Sequence, residues 1–252
     1  MMTRGLSDEQ LDLALAAELQ AALLPKRCPI DCAHQVAAAR NRMCGTIGGD
    51  FHDFIRINAD QVALLIGDVV GHGVRSSLLM AQIMGYLRSE PESRNRPSQV
   101  VADLNRMLIS LGNDTDSVLP CSLFYTVMDA PTGVCFYVNA GHPKPFLCDR
   151  NTGKTHHLGS SNLLLGIQES VMEEGCITFL PGQRLVMYTD GIVDAANPAD
   201  EHFGDRNLRH LIQCHMDRDP AELTEVVFQA LDEFCQGTTQ KDDQTVVVVD
   251  RL

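Results

Sequence analysis

Two kinds of hydrophobic pattern divide this chain. Near the N-terminus, leucines recur every four residues, at Leu11, Leu15, Leu19 and Leu23. From about Gln35 onward, apolar residues instead alternate with polar ones or form short uninterrupted runs. The first spacing is that of one face of an α-helix, whereas the second is typical of β-strands. The pattern therefore predicts a helical segment followed by a region rich in strands.

The N-terminal leucines predict one amphipathic helix. Ser7, followed three residues later by Gln10, has the spacing of a capping box, and Pro25 ends the helical pattern. The single apolar stripe either packs on the rest of the chain or forms a seam with a partner or a second copy. We therefore treat residues 1–25 as a helix with a candidate role in regulation or dimerisation, and residues 26–252 as one domain.

The rest of the chain predicts strands separated by pairs of helices. GGDFHDFIRI and VALLIGDVV enclose the polar turn NADQ and predict a hairpin, and SLFYTVMD and GVCFYVNAG are strands joined by APTG. A further hairpin turns at Asn151 to Gly153, and RLVMYTD and TVVVVDRL are later strands. Helices are predicted at residues 73–90, 98–111, 207–216 and 221–235.

This order of elements predicts a single α+β domain. We expect an αββα sandwich, in which central antiparallel β-sheets are flanked by helix pairs. VALLI and TVVVV are uninterrupted apolar runs, so both faces of these strands should be buried. Sheets that are covered by helices on their outer sides have this property.

Composition narrows the range of functions. The 252 residues are 44% hydrophobic, which is enough for one sizeable core. A formal net charge of −13 argues against nucleic acid and anionic membranes as partners, and it suits a protein that binds cations. We find no apolar run of transmembrane length and no apolar N-terminal stretch typical of a secretory signal. We therefore expect a cytoplasmic location.

The nine cysteines are odd in number and irregular in spacing, and several lie within strand-like apolar runs. These features favour reduced core residues over disulfides. Cys28 and Cys32, with His34 nearby, are weak candidates for a zinc site because no second pair of ligands follows at matching spacing.

Four aspartates lie at the ends of apolar runs, beside a glycine or a second acidic residue. They are Asp50 in GTIGGDFHDF, Asp68 in LLIGDVVGHG, Asp190 in LVMYTDGIVDA and Asp242 in KDDQTVVVV. A carboxylate at the end of a buried strand is costly to desolvate unless a positive charge meets it. If these strand ends converge, the carboxylates form an oxygen-only cage of the kind that holds Mg²⁺ or Mn²⁺.

Five segments occur in a characteristic order: GTIGGDFHDF, GDVVGHGVRSSLLMA, NAGHPKPFL, YTDGIVDA and DDQTVVVV. In this order they resemble the bacterial metal-dependent serine/threonine phosphatases of the SpoIIE/RsbU type, within the PPM (type 2C) superfamily. The preceding AAELQAALLP resembles the segment just upstream of that catalytic domain, so the resemblance covers roughly residues 16 to 250. Each motif alone is unspecific, but five in register are highly specific.

The resemblance implies a binuclear Mg²⁺ or Mn²⁺ centre at one end of the β-sandwich. By motif, Asp68 would bridge both ions, and the backbone carbonyl of Val69 would be a further ligand. Asp50, Asp190 and Asp242 would complete the coordination directly or through water. Two such ions would activate a shared water and neutralise phosphoryl oxygens, so the four aspartates are the candidate catalytic residues and no protein nucleophile is needed.

Other polar residues of these motifs receive structural interpretations. His72 follows Asp68 by four residues, and we favour a role in the loop or the helix start over a general-acid role. His142 in NAGHP is expected to be hydrogen-bonded within the fold. Asp194 and Asp243 either support the ligands or are solvated. Val70 departs from the familiar GDVSGHG, which leaves the carboxylate and glycines unchanged.

The resemblance implies a phosphatase that acts on phosphoserine or phosphothreonine of a partner protein. In partner-switching pathways that substrate is usually a STAS-domain anti-sigma factor antagonist. Two alternatives remain: an inactive pseudophosphatase that only docks partners, and a phosphatase of small metabolites. Retention of four aspartates argues against the first, and a deep basic pocket would favour the second. Since only about 15 residues precede the resemblance, we expect regulation by a separate partner, with a possible homodimer through the N-terminal helix, unless the chain is a short form.

Overall fold

A computed structural model describes residues 7–25, 28, 34–159 and 162–252. Within these residues the helices are α1 (Asp8–Leu23), α2 (Val74–Arg88), α3 (Pro97–Asp114), α4 (Asp190–Val193), α5 (Gly204–Cys214) and α6 (Pro220–Cys235). The strands are β1 (Gln35–Arg42), β2 (Phe51–Arg56), β3 (Gln61–Val69), β4 (Cys121–Asp129), β5 (Val134–Ala140), β6 (Phe146–Asp149), β7 (Thr155–His157), β8 (Gly175–Thr178), β9 (Gln183–Tyr188) and β10 (Gln244–Arg251).

The described strands form two five-stranded sheets, in the orders β1-β10-β9-β6-β7 and β2-β3-β4-β5-β8. Every pairing between neighbouring strands is antiparallel. The hairpin of β2 with β3 and that of β6 with β7 confirm the sequence-based predictions. The predicted α+β sandwich with central antiparallel sheets is confirmed as well.

Strand β10 shows how the layers are held together. Val247 and Val249 point into the core between the two sheets, where they join Phe54 and Phe124. The alternate residues, including Val248, pack instead under α5 and α6. Burying both faces of such a strand contributes about 1.5–3 kcal/mol per fully buried valine or leucine. On the other side, α2 and α3 cover the outer face of the second sheet.

The structure adds two strands that the sequence pattern did not predict. Strand β1 contains three consecutive alanines and ends in polar residues, so its hydrophobic signal is weak. It is held as an edge strand by pairing with β10, from Gln35 opposite Arg251 to Arg42 opposite Gln244. Strand β8 has four residues, lies at the edge of the other sheet and is only partly buried.

Helix α1 begins with the predicted capping box. Ser7 Oγ accepts a hydrogen bond from the Gln10 backbone N–H, and the Gln10 side chain accepts one from the Ser7 N–H. The leucine stripe lies largely in solvent, since Leu11, Leu15 and Leu19 are 50%, 50% and 71% exposed. The helix therefore contacts the domain through other residues.

The carboxyl end of α1 is joined to the domain by polar contacts. Arg88 Nη2 donates to the Leu23 carbonyl at 2.6 Å while its Nε donates to the buried carboxylate of Asp53. His52 Nε2 lies 2.8 Å from the Pro25 carbonyl oxygen. Strand β2 and the end of α2 thus both hold the point where α1 ends.

Within the described residues, seven cysteines are free thiols, namely Cys44, Cys121, Cys135, Cys148, Cys176, Cys214 and Cys235. Cys32 lies outside the described residues, so the zinc hypothesis that combines it with Cys28 and His34 stays a prediction. None of the helices in the described part of the chain is long and apolar enough to cross a membrane.

Candidate metal centre

The four candidate aspartates belong to strand ends that meet at one end of the sandwich. Asp50 directly precedes β2, and Asp68 and Val69 end β3. Asp190 follows β9 after a single threonine, and Asp242 lies two residues before β10. Because β2 runs antiparallel to β3, and β9 to β10, the start of one strand lies beside the end of its neighbour. Each sheet therefore brings two of the carboxylates together, and the charges of Asp190 and Asp242 act on Asp68 across the two sheets.

Glycines allow these segments to approach one another closely. A Cβ atom on Gly49 would lie 2.5 Å from the Val69 carbonyl oxygen and 3.2 Å from Asp68 Oδ1. A Cβ on Gly191 would lie only 1.9 Å from the carbonyl oxygen of Asp243. Real Cβ atoms do not tolerate such distances, so these positions require glycine.

Two threonines, which the sequence reasoning missed, hold the carboxylate of Asp50. The hydroxyls of Thr189 and Thr245 donate to Asp50 Oδ2 at 2.8 Å and 2.6 Å. Thr245 in turn accepts from the Asn41 amide, and Thr189 accepts from the Thr245 backbone N–H. The only signal in the sequence is their position within the YTD and DDQT motifs, one residue before Asp190 and two after Asp243.

The carboxylates raise one another's pKa values. Burial, followed by the charges of Asp190 and Asp242, raises the pKa of Asp68 to about 7. Burial and then the charge of Asp68 raise the pKa of Asp50 well above its ordinary range, although both threonine hydrogen bonds act in the opposite direction. The pKa values of Asp190 and Asp242 are raised first by burial. A nearby cation would relieve this repulsion and favour the charged forms.

The donor set suits a hard divalent cation. All four side chains are carboxylates, and the Val69 carbonyl oxygen faces the same region across Gly49. Oxygen-only sets of this kind select Mg²⁺, Ca²⁺ or Mn²⁺. No group of three acidic, histidine or cysteine side chains among the described residues is already gathered into ligand positions. The carboxylates share one end of the sandwich without forming a closed cage.

Asp243 does not lie in solvent, which decides between the two sequence-based alternatives. Its side chain is 2% exposed, with Oδ1 accepting from the Cys44 N–H and Oδ2 from the Gly49 N–H, each at 2.7 Å. It therefore fastens the glycine loop that leads into Asp50. Asp194, by contrast, is well exposed and lies 3.3 Å from His202 Nδ1.

The two histidines of the motifs lie in different surroundings. His72 is exposed in the turn before α2, and it partly opposes the rise that burial causes in the pKa of Asp242. His142 is buried, and burial lowers its pKa to about 3, so it is neutral at pH 7. Its Nδ1 lies 2.8 Å from Ser122 Oγ, and Ser122 is paired with Asp68 across β3 and β4. His142 is thus hydrogen-bonded within the fold, behind the centre.

The chain is similar in sequence to one protein family and to several curated proteins. Residues 58–252 match the family model described as Stage II sporulation protein E (SpoIIE). Two curated relatives from Bacillus subtilis (strain 168) are named phosphoserine phosphatases. RsbP is 28% identical over 81% of this chain and 49% of its own length. RsbU is 26% identical over 98% of this chain and 72% of its own length. Protein IcfG of Synechocystis is 27% identical over 96% of this chain and 42% of its length. The chain spans about half the length of most of these relatives.

Solved structures share the fold. The SiaA-PP2C domain of Pseudomonas aeruginosa has a TM-score of 0.83 at 19% identity and covers 96% of each chain. RsbX in complex with magnesium has a TM-score of 0.65 at 13% identity, over 88% of this chain and 98% of that one.

The two antiparallel sheets and their helices thus have the fold of the SiaA-PP2C domain. Because the family model covers more than three quarters of the sequence, the chain belongs to the SpoIIE family.

Proposed function

We propose that this chain removes phosphate from phosphoserine or phosphothreonine of a partner protein, at a centre that holds two Mg²⁺ or Mn²⁺ ions. The observation that carries the proposal is the meeting of Asp50, Asp68, Asp190 and Asp242 at one end of the sandwich, with raised pKa values. The magnesium complex of the structurally similar RsbX supports the choice of ion.

The surroundings of each residue support distinct roles. The charges of Asp190 and Asp242 both act on Asp68, which is the position expected of a carboxylate shared between two ions. Both threonine hydroxyls bind Asp50 Oδ2, so Asp50 Oδ1 is the oxygen left for a ligand or a bound water. When bound, two divalent cations supply a water of lowered pKa and neutralise charge on the phosphoryl group. The protein orients these carboxylates and keeps them partly out of water.

The surface beside the centre favours a protein substrate over a small metabolite. The adjoining cavity of about 510 Å³ contains as many acidic as basic side chains, namely Asp194, Asp232 and Asp242 with Arg42, His202 and Lys241. It therefore lacks the net positive charge that would retain a small free phosphate ester. On the side of β3, Val70 and Val74 are 57% and 58% exposed, an apolar rim suited to contact with another protein.

We propose a partner-switching pathway as the biological setting. RsbP and RsbU are named phosphoserine phosphatases, and we propose by analogy that the substrate is a phosphorylated STAS-domain antagonist of an anti-sigma factor.

Phosphate release with Mn²⁺ present tests the substrate class. We expect a phosphorylated STAS-domain protein to be hydrolysed with a kcat/KM at least about tenfold above that of free phosphoserine, because protein contacts add binding energy outside the reacting group. Phosphorylated sugars and nucleotides serve as the comparison set. Faster turnover of one of these would favour the metabolite phosphatase, and no turnover of any substrate would favour the pseudophosphatase.

We further propose that α1 mediates homodimerisation or docking of a regulator, with residues 26–252 as the catalytic domain. The exposed stripe of Leu11, Leu15 and Leu19 supports this, since these side chains contribute little to packing within one chain.

Replacing both Leu15 and Leu19 by glutamate tests this role of α1. We expect the oligomeric mass, or the activation by a regulator, to change while the melting temperature stays within a few degrees, because both side chains are at least half exposed. Light scattering and thermal melts measure the two quantities. An unfolded double mutant would instead show that the stripe is ordinary core packing.

A further inference from the structure

One residue of α1 reaches the candidate centre. Gln20 is 6% exposed, although α1 is otherwise well solvated and its leucine stripe faces outward. Its Nε2 donates to the Gly48 carbonyl oxygen at 2.7 Å, and its Oε1 accepts from the Gly48 N–H at 3.0 Å. A single side-chain amide thus satisfies both backbone groups of a residue two positions before Asp50.

Few other side chains could replace Gln20, because the contact needs one donor and one acceptor at the same side-chain end. Removing one partner of a buried hydrogen bond leaves the other unsatisfied and so destabilises the folded protein. Position 48 also requires glycine, because a Cβ there would lie 1.9 Å from Asp243 Oδ2 and 2.5 Å from Met43 Sδ. The backbone N–H and carbonyl group of Gly48 are therefore both bound by Gln20, and its Cα packs closely against the carboxylate of Asp243.

The contact continues into the candidate ligands. Gly49, the next residue, donates its N–H to Asp243 at 2.7 Å, and its carbonyl oxygen accepts from the Val69 N–H at 3.4 Å. Gly49 then leads directly into Asp50. A shift of Gly48 would therefore move two candidate ligands together: the carboxylate of Asp50 and the carbonyl group of Val69.

We infer that Gln20 is a positioning residue for the metal centre, acting through Gly48 and Gly49 on Asp50 and Val69. The inference rests on the proposed function, because it assumes that these groups bind the ions. It links α1 to the catalytic domain through a side chain that lies outside the residues matching the family model. It also explains why a glutamine is buried on a helix on which Leu11, Leu15 and Leu19 are exposed.

The test is Gln20→Met, which keeps the length of the side chain and removes both hydrogen bonds. Calorimetric titration with Mn²⁺ should show a dissociation constant raised about tenfold, as is typical when residues that orient metal ligands are lost. Hydrogen exchange should quicken at the Gly49 amide as well as at Gly48, because the loop that Asp243 fastens also loosens. Gln20→Asn, whose amide is one methylene short, should change both quantities in the same direction and serves if the first variant is poorly folded.

Gln10→Met is the matched control. It makes the same substitution on the same helix and removes the capping box at the far end. Its Mn²⁺ affinity should equal that of the wild type. An equal loss of affinity in both variants would assign the effect to helix stability and overturn the inference, as would wild-type affinity in Gln20→Met. Absence of Mn²⁺ binding by the wild type would instead overturn the proposed function, on which the inference rests.

Discussion

Asp68→Asn should lower phosphate release by at least about a hundredfold, the scale expected when a key electrostatic element of a catalytic site is lost. The asparagine has nearly the same shape but lacks the negative charge that two ions would share. The same substitution should raise the melting temperature of the metal-free protein. Burial and neighbouring charges raise the pKa of Asp68 to about 7, so its ionised form destabilises the empty fold at neutral pH. Steady-state assays and thermal melts in chelator measure the two effects.

Asp243→Asn is the control for this prediction. Asp243 is buried beside the same centre but binds the Cys44 and Gly49 N–H groups. We expect a much smaller loss of activity together with a loss of stability of about 1–3 kcal/mol, because an amide nitrogen would then face a backbone donor. If Asp243→Asn proved the more damaging to catalysis, the assignment of Asp242 as the ligand would be wrong.

Removal of divalent ions should abolish hydrolysis of an aryl phosphate and lower the melting temperature. A ligand present at a hundred times its dissociation constant stabilises the folded state by about 2.7 kcal/mol per site. Calorimetry or dye-based melts in EDTA, with and without excess Mn²⁺, measure the shift. Equal rates in EDTA would contradict the binuclear mechanism, and an unchanged melting temperature at millimolar Mn²⁺ would contradict an acidic cage that is formed in the folded protein.

The stabilisation by Mn²⁺ should also depend on pH. The pKa of an aspartate in the unfolded chain is about 4, whereas that of Asp68 is raised to about 7. Stability from this protonated carboxyl is therefore fully present below about pH 4 and is lost as the pH rises through 7. At pH 8 the metal-free protein has lost this stabilisation, and Asp68 is ionised and ready to bind a cation. The gain in melting temperature on adding Mn²⁺ should therefore be larger at pH 8 than at pH 6. Asp68→Asn should remove most of that difference.

Much of the fold could be predicted because its strong elements carry local signals. Three elements are each predicted within a few residues by a local feature. These features are the apolar run Val246–Val249 in β10, the capping box at Ser7 before α1, and the polar turn before Gln61 at the start of β3. Strand β1 could not be predicted in this way, because its alanines carry little hydrophobic signal and it is fixed by pairing with a strand some 200 residues away. The order of strands within each sheet is likewise a long-range property that local periodicity does not contain.

For the site, the sequence supplied the candidate acids but not their supports. Asp50, Asp68, Asp190 and Asp242 are marked by glycine or acid neighbours at strand ends, and the structure brings their segments together. Thr189, Thr245 and the hydrogen bonds of Asp243 were beyond prediction, because their roles depend on which segments meet. Gln20 lies within AAELQAALLP, but its burial could not be predicted, since a single glutamine on a helix is ordinarily solvated.

The placement of β10 has a consequence for biosynthesis. This strand comes last in the sequence, yet it lies between β1 and β9 in its sheet and begins two residues after Asp242. While a ribosome is still short of Asp242, the nascent chain lacks both an interior strand of one sheet and one of the four acidic strand ends. Activity should therefore arise only once synthesis has passed this strand, and prematurely terminated products should be inert and poorly folded rather than partly active.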